Sequence, residues 1–321
     1  MGEQQRTEGA ADPGLFGPAS VTWQAHADPI MWVAGIRALY LQALHPRAVR
    51  GVTQNSSAFD GRSGGRESWG RLMRTAGFVG TISYGTTAAA EQAGARVRKI
   101  HSLLGATDPG TGERYGIGES ELLLWVHCAE VDSYLQVLRR SGFPISDAQA
   151  DRYVDENRSG ARLVGLDPAG VPASRAALAD YFDAVRPELA ATEESRRVDD
   201  FLSHPPVPAL LVPAREVLWR QVAGLAYGSL PRYAQELYGR QAPAPGTVDR
   251  RLTVTGNALR CIPARLRWQL PPGHILKAMA RLGPGSRPAP YKLRTPDAIL
   301  DGPGRAKLSN GGDSTTWRTP G

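Results

Sequence analysis

The sequence predicts an all-α protein with one multi-helix domain and a basic C-terminal extension. Apolar residues recur with helical spacing along most of the chain. Alternating runs of Val, Ile and Thr, which are typical of strands, are almost absent outside residues 252–255. Gly and Pro (36 and 25 residues) concentrate in connectors and towards the ends. We expect a flexible segment at 1–26, a helical domain over 27–285 and a disordered tail at 286–321.

The first predicted helix starts at Asp28 and Pro29, since Asp caps free N–H groups and Pro suits the first turn. The run IMWVAGIRALYLQAL continues it and predicts a helix buried on most sides. His45 precedes Pro46, which steers it out of the helical region and ends the helix. A loop rich in Gly and Ser follows, up to Gly65.

The second predicted helix, at about 67–78, carries Arg71, Arg74 and Thr75 at positions i, i+3 and i+4. This spacing puts two cations and a hydroxyl on one face. They have a plain alternative interpretation: the arginines are solvated helix charges, and the threonine bonds to its own helix.

The third predicted helix covers about 87–104 and places Val97, His101 and Leu104 on one apolar face. Arg98 lies one turn before the histidine. Residues 105–118 are rich in turn formers and predict a hairpin or a long loop.

A long helix over 119–140 follows, and its inward stripe includes His127. Further helices are expected at 147–165, 174–182, 185–201 and 213–225. After a Pro/Ala linker at 241–245, the segment 258–282 mixes apolar and basic residues. It either docks on the body or makes peripheral contact with a membrane surface.

Composition excludes several classes of protein. Two cysteines, Cys128 and Cys261, are too few for a disulfide framework, which favours a reducing cytoplasm. No secretion signal or apolar run of membrane-spanning length occurs. The net charge of +7 comes from the chain after residue 239, where 14 Lys and Arg face 4 Asp and Glu. We therefore expect no nucleic-acid binding by the main domain.

His45, His101 and His127 all fall at or inside apolar helical segments. Each has a plain alternative, because a histidine on an apolar face is more often a hydrogen-bonded core residue, and His45 could simply cap a helix. The motifs HExxH, GxSxG, GxGxxG and GxxxxGK[ST] are absent. An inward imidazole, an apolar helical slot and nearby arginines are the elements that a haem group needs.

Four stretches in order resemble the rubber-oxygenase and mycophenolic acid pathway oxygenase family: LHPRAV (44–49), RLMRT (71–75), VRKIH (97–101) and ELLLWVH (121–127). The family includes bacterial latex-clearing protein and a fungal oxygenase that shortens a prenyl side chain. The resemblance spans roughly residues 28–280. It implies a globin-like helical core that holds haem b.

By this resemblance His101, within the Arg-x-x-His arrangement that begins at Arg98, is the iron ligand. Arg71, Arg74 and Thr75 match the family's R-x-x-K-T motif of the distal pocket. Arg74 replaces the lysine, and a guanidinium that stays protonated cannot coordinate iron. The stretch QNSSAFDG offers no match for the acid proposed as base in rubber cleavage, which argues against polymer cleavage.

The sequence thus predicts a haem b oxygenase that acts on an apolar small molecule with O2. Arg71, Arg74 and Thr75 are its candidate catalytic residues. Arg98 and His101 bind the cofactor, with His127 and His45 as further pocket residues. Two alternatives stay open: a haem-free helical binding protein of the same fold, and a peripheral membrane or nucleic-acid binder that uses the basic C-terminal segment.

Overall fold

The computed structural model describes residues 11–56, 66–205, 212–269, 273–289 and 293, and it is all-α. Its helices are α1 Val21–His26, α2 Met31–Gln42, α3 Pro46–Gln54, α4 Arg66–Tyr84, α5 Thr87–Leu103, α6 Ser120–Arg140, α7 Asp147–Val164, α8 Arg175–Val185, α9 Glu193–Ser203, α10 Val212–Ala214, α11 Arg220–Gly228, α12 Arg232–Tyr238, α13 Pro245–Cys261, α14 Ala264–Arg267 and α15 His274–Leu282. Strands β1 Gly105–Thr107 and β2 Arg114–Gly116 form an antiparallel hairpin, one of the two alternatives that the sequence leaves open.

The main core forms where α2 packs against α6, and a buried arginine joins them. Arg37 is 2% exposed. Its guanidinium donates to the Asp132 carboxylate at 2.9 Å, to Ser133 Oγ at 2.6 Å and to the Ser229 carbonyl at 3.1 Å. Because Ser229 follows α11, this one side chain connects three helical segments. A charge buried this deeply is tolerated only when it is paired and hydrogen-bonded.

Helix α1 lies in the segment that the sequence predicts to be flexible. Ser20 caps it, and the Glu156 carboxylate of α7 accepts from the backbone N–H groups of Val21 and Thr22. Trp23 is fully buried, and its indole donates to the Ser286 carbonyl at 3.0 Å. Trp23 and Ser286, which the sequence prediction assigns to the flexible segment and to the tail, thus contact each other across the chain.

The chain after α13 docks on the body, which is one of the two alternatives that its sequence leaves open. Trp268, Ile275 and Ala278 are buried, and the Trp268 indole donates to the Ala27 carbonyl at 3.1 Å. They join a second apolar cluster, here called the terminal cluster: Trp23, Ala27, Tyr84, Trp268, Ile275 and Ala278. None of the helices in the described ranges is long and apolar enough to cross a membrane.

Several boundaries differ from the prediction. Pro46 does not open a loop but starts α3, because Pro fits the first turn of a helix and His45 caps it. Residues 252–255, the one strand-like stretch, lie inside α13. The helix expected at 185–201 starts later than predicted, because Pro187 interrupts helical hydrogen bonding near its beginning. Helix α8 ends at Val185, and Thr192 caps the start of α9.

Helix α5 crosses α7 at Gly94, where the backbones come close. A Cβ atom added at Gly94 would lie 2.6 Å from the Leu163 carbonyl oxygen and 2.9 Å from Leu163 Cβ. Only glycine allows this approach without movement of one helix. The contact sets the position of α5 and hence of His101 near its C-terminal end.

Replacing Gly94 with alanine should destabilise the fold by about 1–3 kcal/mol, because the added methyl group meets backbone that cannot rotate away. Gly77→Ala in α4 is the matched control, since a Cβ there meets nothing within 4 Å. Alanine's higher helix propensity should make that variant neutral or more stable by up to about 1 kcal/mol. Urea unfolding measures both, and equal stabilities would contradict the close approach.

Candidate functional site

A large cavity, here called the central cavity, lies between α2, α4 and α6. It contains about 1070 Å³ of space not filled by protein atoms, counted out to its open mouth. Apolar side chains from α2 and α4 form most of its wall: Met31, Trp32, Ile36, Leu39, Leu72, Ala76 and Val79. The lining of α4 extends from Leu72 to Tyr84, about 18 Å along the helix.

The structure places His101 of α5 near Arg71 of α4, and neither is among the side chains that line the central cavity. His101 Nδ1 is buried and has no hydrogen-bond partner among the described residues. Burial lowers the pKa of His101, and the positive charge of Arg71 lowers it further. The lowered pKa favours the neutral imidazole, in which one of the two ring nitrogens carries a lone pair. Leu72, the next residue of α4, lines the cavity.

Arg74 and Thr75 lie on the following turn of α4. Burial lowers the pKa of Arg71, and the neighbouring charge of Arg74 lowers it further. Within the described ranges neither arginine forms an ion pair with a carboxylate. Thr75 lines the cavity while its hydroxyl donates to the Arg71 carbonyl at 3.1 Å. Its hydroxyl bonds to its own helix, as the plain alternative expects.

Arg98 and His45 are held by other contacts. The Arg98 guanidinium donates to the Leu163 carbonyl at the C-terminal end of α7, one of the carbonyls that a helix end leaves unpaired. His45 caps α3 by accepting from the Ala48 N–H, and its Nε2 is 3.6 Å from a Glu188 carboxylate oxygen. These contacts are structural, and the cofactor-binding roles of both residues stay predictions.

A polar face of α6 carries His127, Glu130 and Tyr134, of which the last two line the central cavity. Burial lowers the pKa of His127 to about 4. Burial also raises the pKa of Glu130 to about 7, although a hydrogen bond from Tyr134 partly offsets this. The role of His127 stays a prediction. Glu130, one turn after His127, was not among the predicted site residues. Its spacing from His127 places it on the same face of α6 and could have indicated it.

His26 extends this polar region. Its ring nitrogens bond to Ser83 Oγ at 2.7 Å and to the Tyr153 hydroxyl at 2.9 Å, and it packs edge-on against Tyr134. Burial lowers the pKa of His26 to about 4, so the ring is neutral and donates one bond while accepting the other. The sequence analysis missed His26 because it falls in the segment assigned as flexible.

Arg267 and His274 line the central cavity from α14 and α15. Arg267 Nε and His274 Nε2 are buried and have no hydrogen-bond partner among the described residues. His274 packs on α4 at Gly80, where an added Cβ would lie 2.5 Å from its ring. No local pattern around residues 267–274 predicts this, since the contact joins segments about 190 residues apart.

The variant Glu130→Gln should remove a pH-dependent part of the stability. Burial raises the pKa of Glu130 from 4.5 to about 7, so the folded protein keeps a proton that the unfolded chain releases earlier. Its contribution is complete below about pH 4.5 and is lost as the pH rises through 7. Relative to the variant, the wild-type melting temperature should fall by a few degrees between about pH 5 and 8.

Circular dichroism melting measures this difference. His26 and His127 change stability in the opposite direction, but both proteins carry them and their effect cancels. The control is Glu121→Gln at the exposed start of α6, where the side chain is 84% exposed. Parallel pH profiles for wild type and Glu130→Gln would contradict the burial of this carboxyl.

Comparison with known proteins identifies the domain. The family described as ER-bound oxygenase mpaB/B'/Rubber oxygenase, catalytic domain, matches residues 23–268. No curated protein and no solved structure matches the chain. The matched range includes α2, α4, α5 and α6, which surround the central cavity or carry His101, and ends just before α15. The chain therefore belongs to the mpaB and rubber-oxygenase catalytic-domain family.

Proposed function

We propose that this protein is a haem b-dependent oxygenase that acts on an apolar small molecule, with His101 as the iron ligand. The observation that carries the proposal is the neutral imidazole of His101, whose Nδ1 is buried without a partner among the described residues, near Arg71, whose neighbour Leu72 lines the central cavity. Metal ligation requires this protonation state. When bound, haem b supplies the redox-active iron that O2 chemistry on an apolar substrate requires.

The surroundings of His101 also suit a haem group. Ile100 and Leu103 on the same helix are 47% and 76% exposed, which leaves apolar surface of the kind that a porphyrin covers. Arg71 and Arg74 supply two cations that no carboxylate of the described chain neutralises, which suits the two propionates.

The chain's own residues have defined roles in this proposal. The apolar walls of α2 and α4 exclude water and favour an apolar substrate. Arg71, Arg74 and Thr75 supply hydrogen-bond donors at the His101 end, where they orient polar atoms of the reactants. Glu130 is the group that can hold or release a proton near neutral pH inside the cavity.

The absorption spectrum of protein expressed with a haem precursor tests the proposal. Wild type should show a Soret band, and His101→Ala should lose or shift it because the axial bond is removed. His274→Ala should keep the band, although His274 also has an unpartnered ring nitrogen. His204→Ala, at an exposed position, is the control for histidine removal.

Absence of a Soret band in wild type would overturn the oxygenase proposal and favour a haem-free binding protein of the same fold. A band that persists unchanged in His101→Ala but is lost in His274→Ala would move the ligand to α15. If wild type binds haem, apolar alkenes can be added one at a time. An alkene that causes an O2-dependent change in the absorption spectrum is a candidate substrate.

A further inference from the structure

The end of the central cavity at α14 and α15 holds donors that the fold does not use. Arg267 Nε and His274 Nε2 are both buried and lack hydrogen-bond partners among the described residues. A buried donor without an acceptor costs about 1–3 kcal/mol, and more when it is charged. Arg267 Nε is a donor, and His274 Nε2 is a donor in the tautomer that carries its proton there, so the two atoms together suit a bound acceptor.

The nearest carboxylate does not satisfy Arg267. Asp28 is 1% exposed, and Arg260 binds it at 2.7 Å. The other oxygen of Asp28 accepts from the Ile30 N–H at 3.0 Å. Within the described ranges Arg267 forms no ion pair; burial lowers its pKa, and the charge of Asp28 offsets this in part. No carboxylate of the described residues pairs with Arg267 directly.

We propose that Arg267 and His274 bind the carboxylate of an otherwise apolar substrate in the central cavity. This inference rests on the proposed function only in taking that cavity as the substrate site. A single negative charge fits better than a phosphate dianion, because Arg267 is the one cation among the described residues that line the cavity and Asp28 also lines it. A carboxylate also offers two oxygens, one for each donor.

The propionates of haem are also carboxylates, but the position of Arg267 favours the carboxylate of a substrate as its ligand. His274 packs at Gly80, eight residues of α4 away from Leu72, or about 12 Å along the helix. Arg71 and His101 lie at the Leu72 end. A substrate held by its carboxylate at α15 would thus extend along the apolar walls and present its far part to the His101 end.

His274 on α15 lies beyond the residues that match the family, whereas Arg267 lies within them, one residue before the match ends. The apolar walls alone would accept any hydrocarbon of suitable shape. A cation at one end adds selectivity, since a site built to pair a polar group rejects ligands that lack it. Arg267 and His274 are therefore the specificity-determining residues of the cavity.

Calorimetric titration of the full-length protein tests the inference with dodecanoic acid, its methyl ester and dodecyl phosphate. Wild type should bind the acid at least about tenfold more tightly than the ester, as expected for a charge-assisted hydrogen bond. Arg267→Gln should lose about tenfold for the acid and leave the ester within twofold. Arg265→Gln, exposed on the same short helix, removes the same charge and should change neither.

Equal binding of acid and ester by wild type would overturn the inference, as would tighter binding of dodecyl phosphate than of the acid. His274→Leu gives a second test in case Arg267→Gln fails to fold, and it should lower acid affinity alone. If Arg267→Gln lowers the Soret absorbance per protein and leaves acid binding unchanged, the carboxylate is a haem propionate and the substrate assignment is wrong.

The inference and the proposed function can fail separately. If the protein shows no Soret band but still binds the acid more tightly than the ester, the carboxylate site stands and the oxygenase proposal is overturned. If it shows a Soret band but no preference for the acid, the oxygenase proposal stands and the carboxylate site is overturned.

Discussion

The ion pair between Arg37 and Asp132 is the interaction on which the arrangement of the core depends. It joins α2 to α6 with both side chains largely buried, and the same guanidinium holds the carbonyl of Ser229 after α11. Removing one partner of such a pair leaves an uncompensated buried charge, which costs several kcal/mol. Since α2 and α6 are two walls of the central cavity, the pair also sets the width of the site.

The cavity combines two environments that fit different parts of one ligand. Its walls along α2 and α4 are apolar, and the polar groups gather at the end where α1, α6 and α15 meet. His26 and Glu130 are both uncharged over part of the neutral range because burial disfavours their ions. Arg267 is therefore the principal positive charge that this end presents among the described residues.

The terminal cluster explains why segments far apart in sequence act as one wall. Trp23 bonds to Ser286, and Trp268 bonds to Ala27, so the N-terminal helix and the C-terminal helix hold each other. Tyr84 packs edge-on against Trp23 and carries the contact to α4. The cavity end is therefore formed only when both termini of the domain are in place.

Sequence periodicity by itself determined the helical class and the extents of α5 to α7 within about one residue, and it left residues 105–118 as a hairpin or a long loop. The order of four short motifs indicated the family by resemblance. These features depend on local spacing, on caps and on short motifs that can be read within one turn or one strand. Only the tertiary structure decided that α1 is part of the core, that Arg98 binds the end of α7, and that Glu130, Arg267 and His274 share a cavity with His26. The reason is physical: burial, orphaned donors and shifted pKa values arise from contacts between segments far apart in sequence, such as Arg98 and Leu163 at 65 residues or His26 and Ser83 at 57, and no local pattern encodes them.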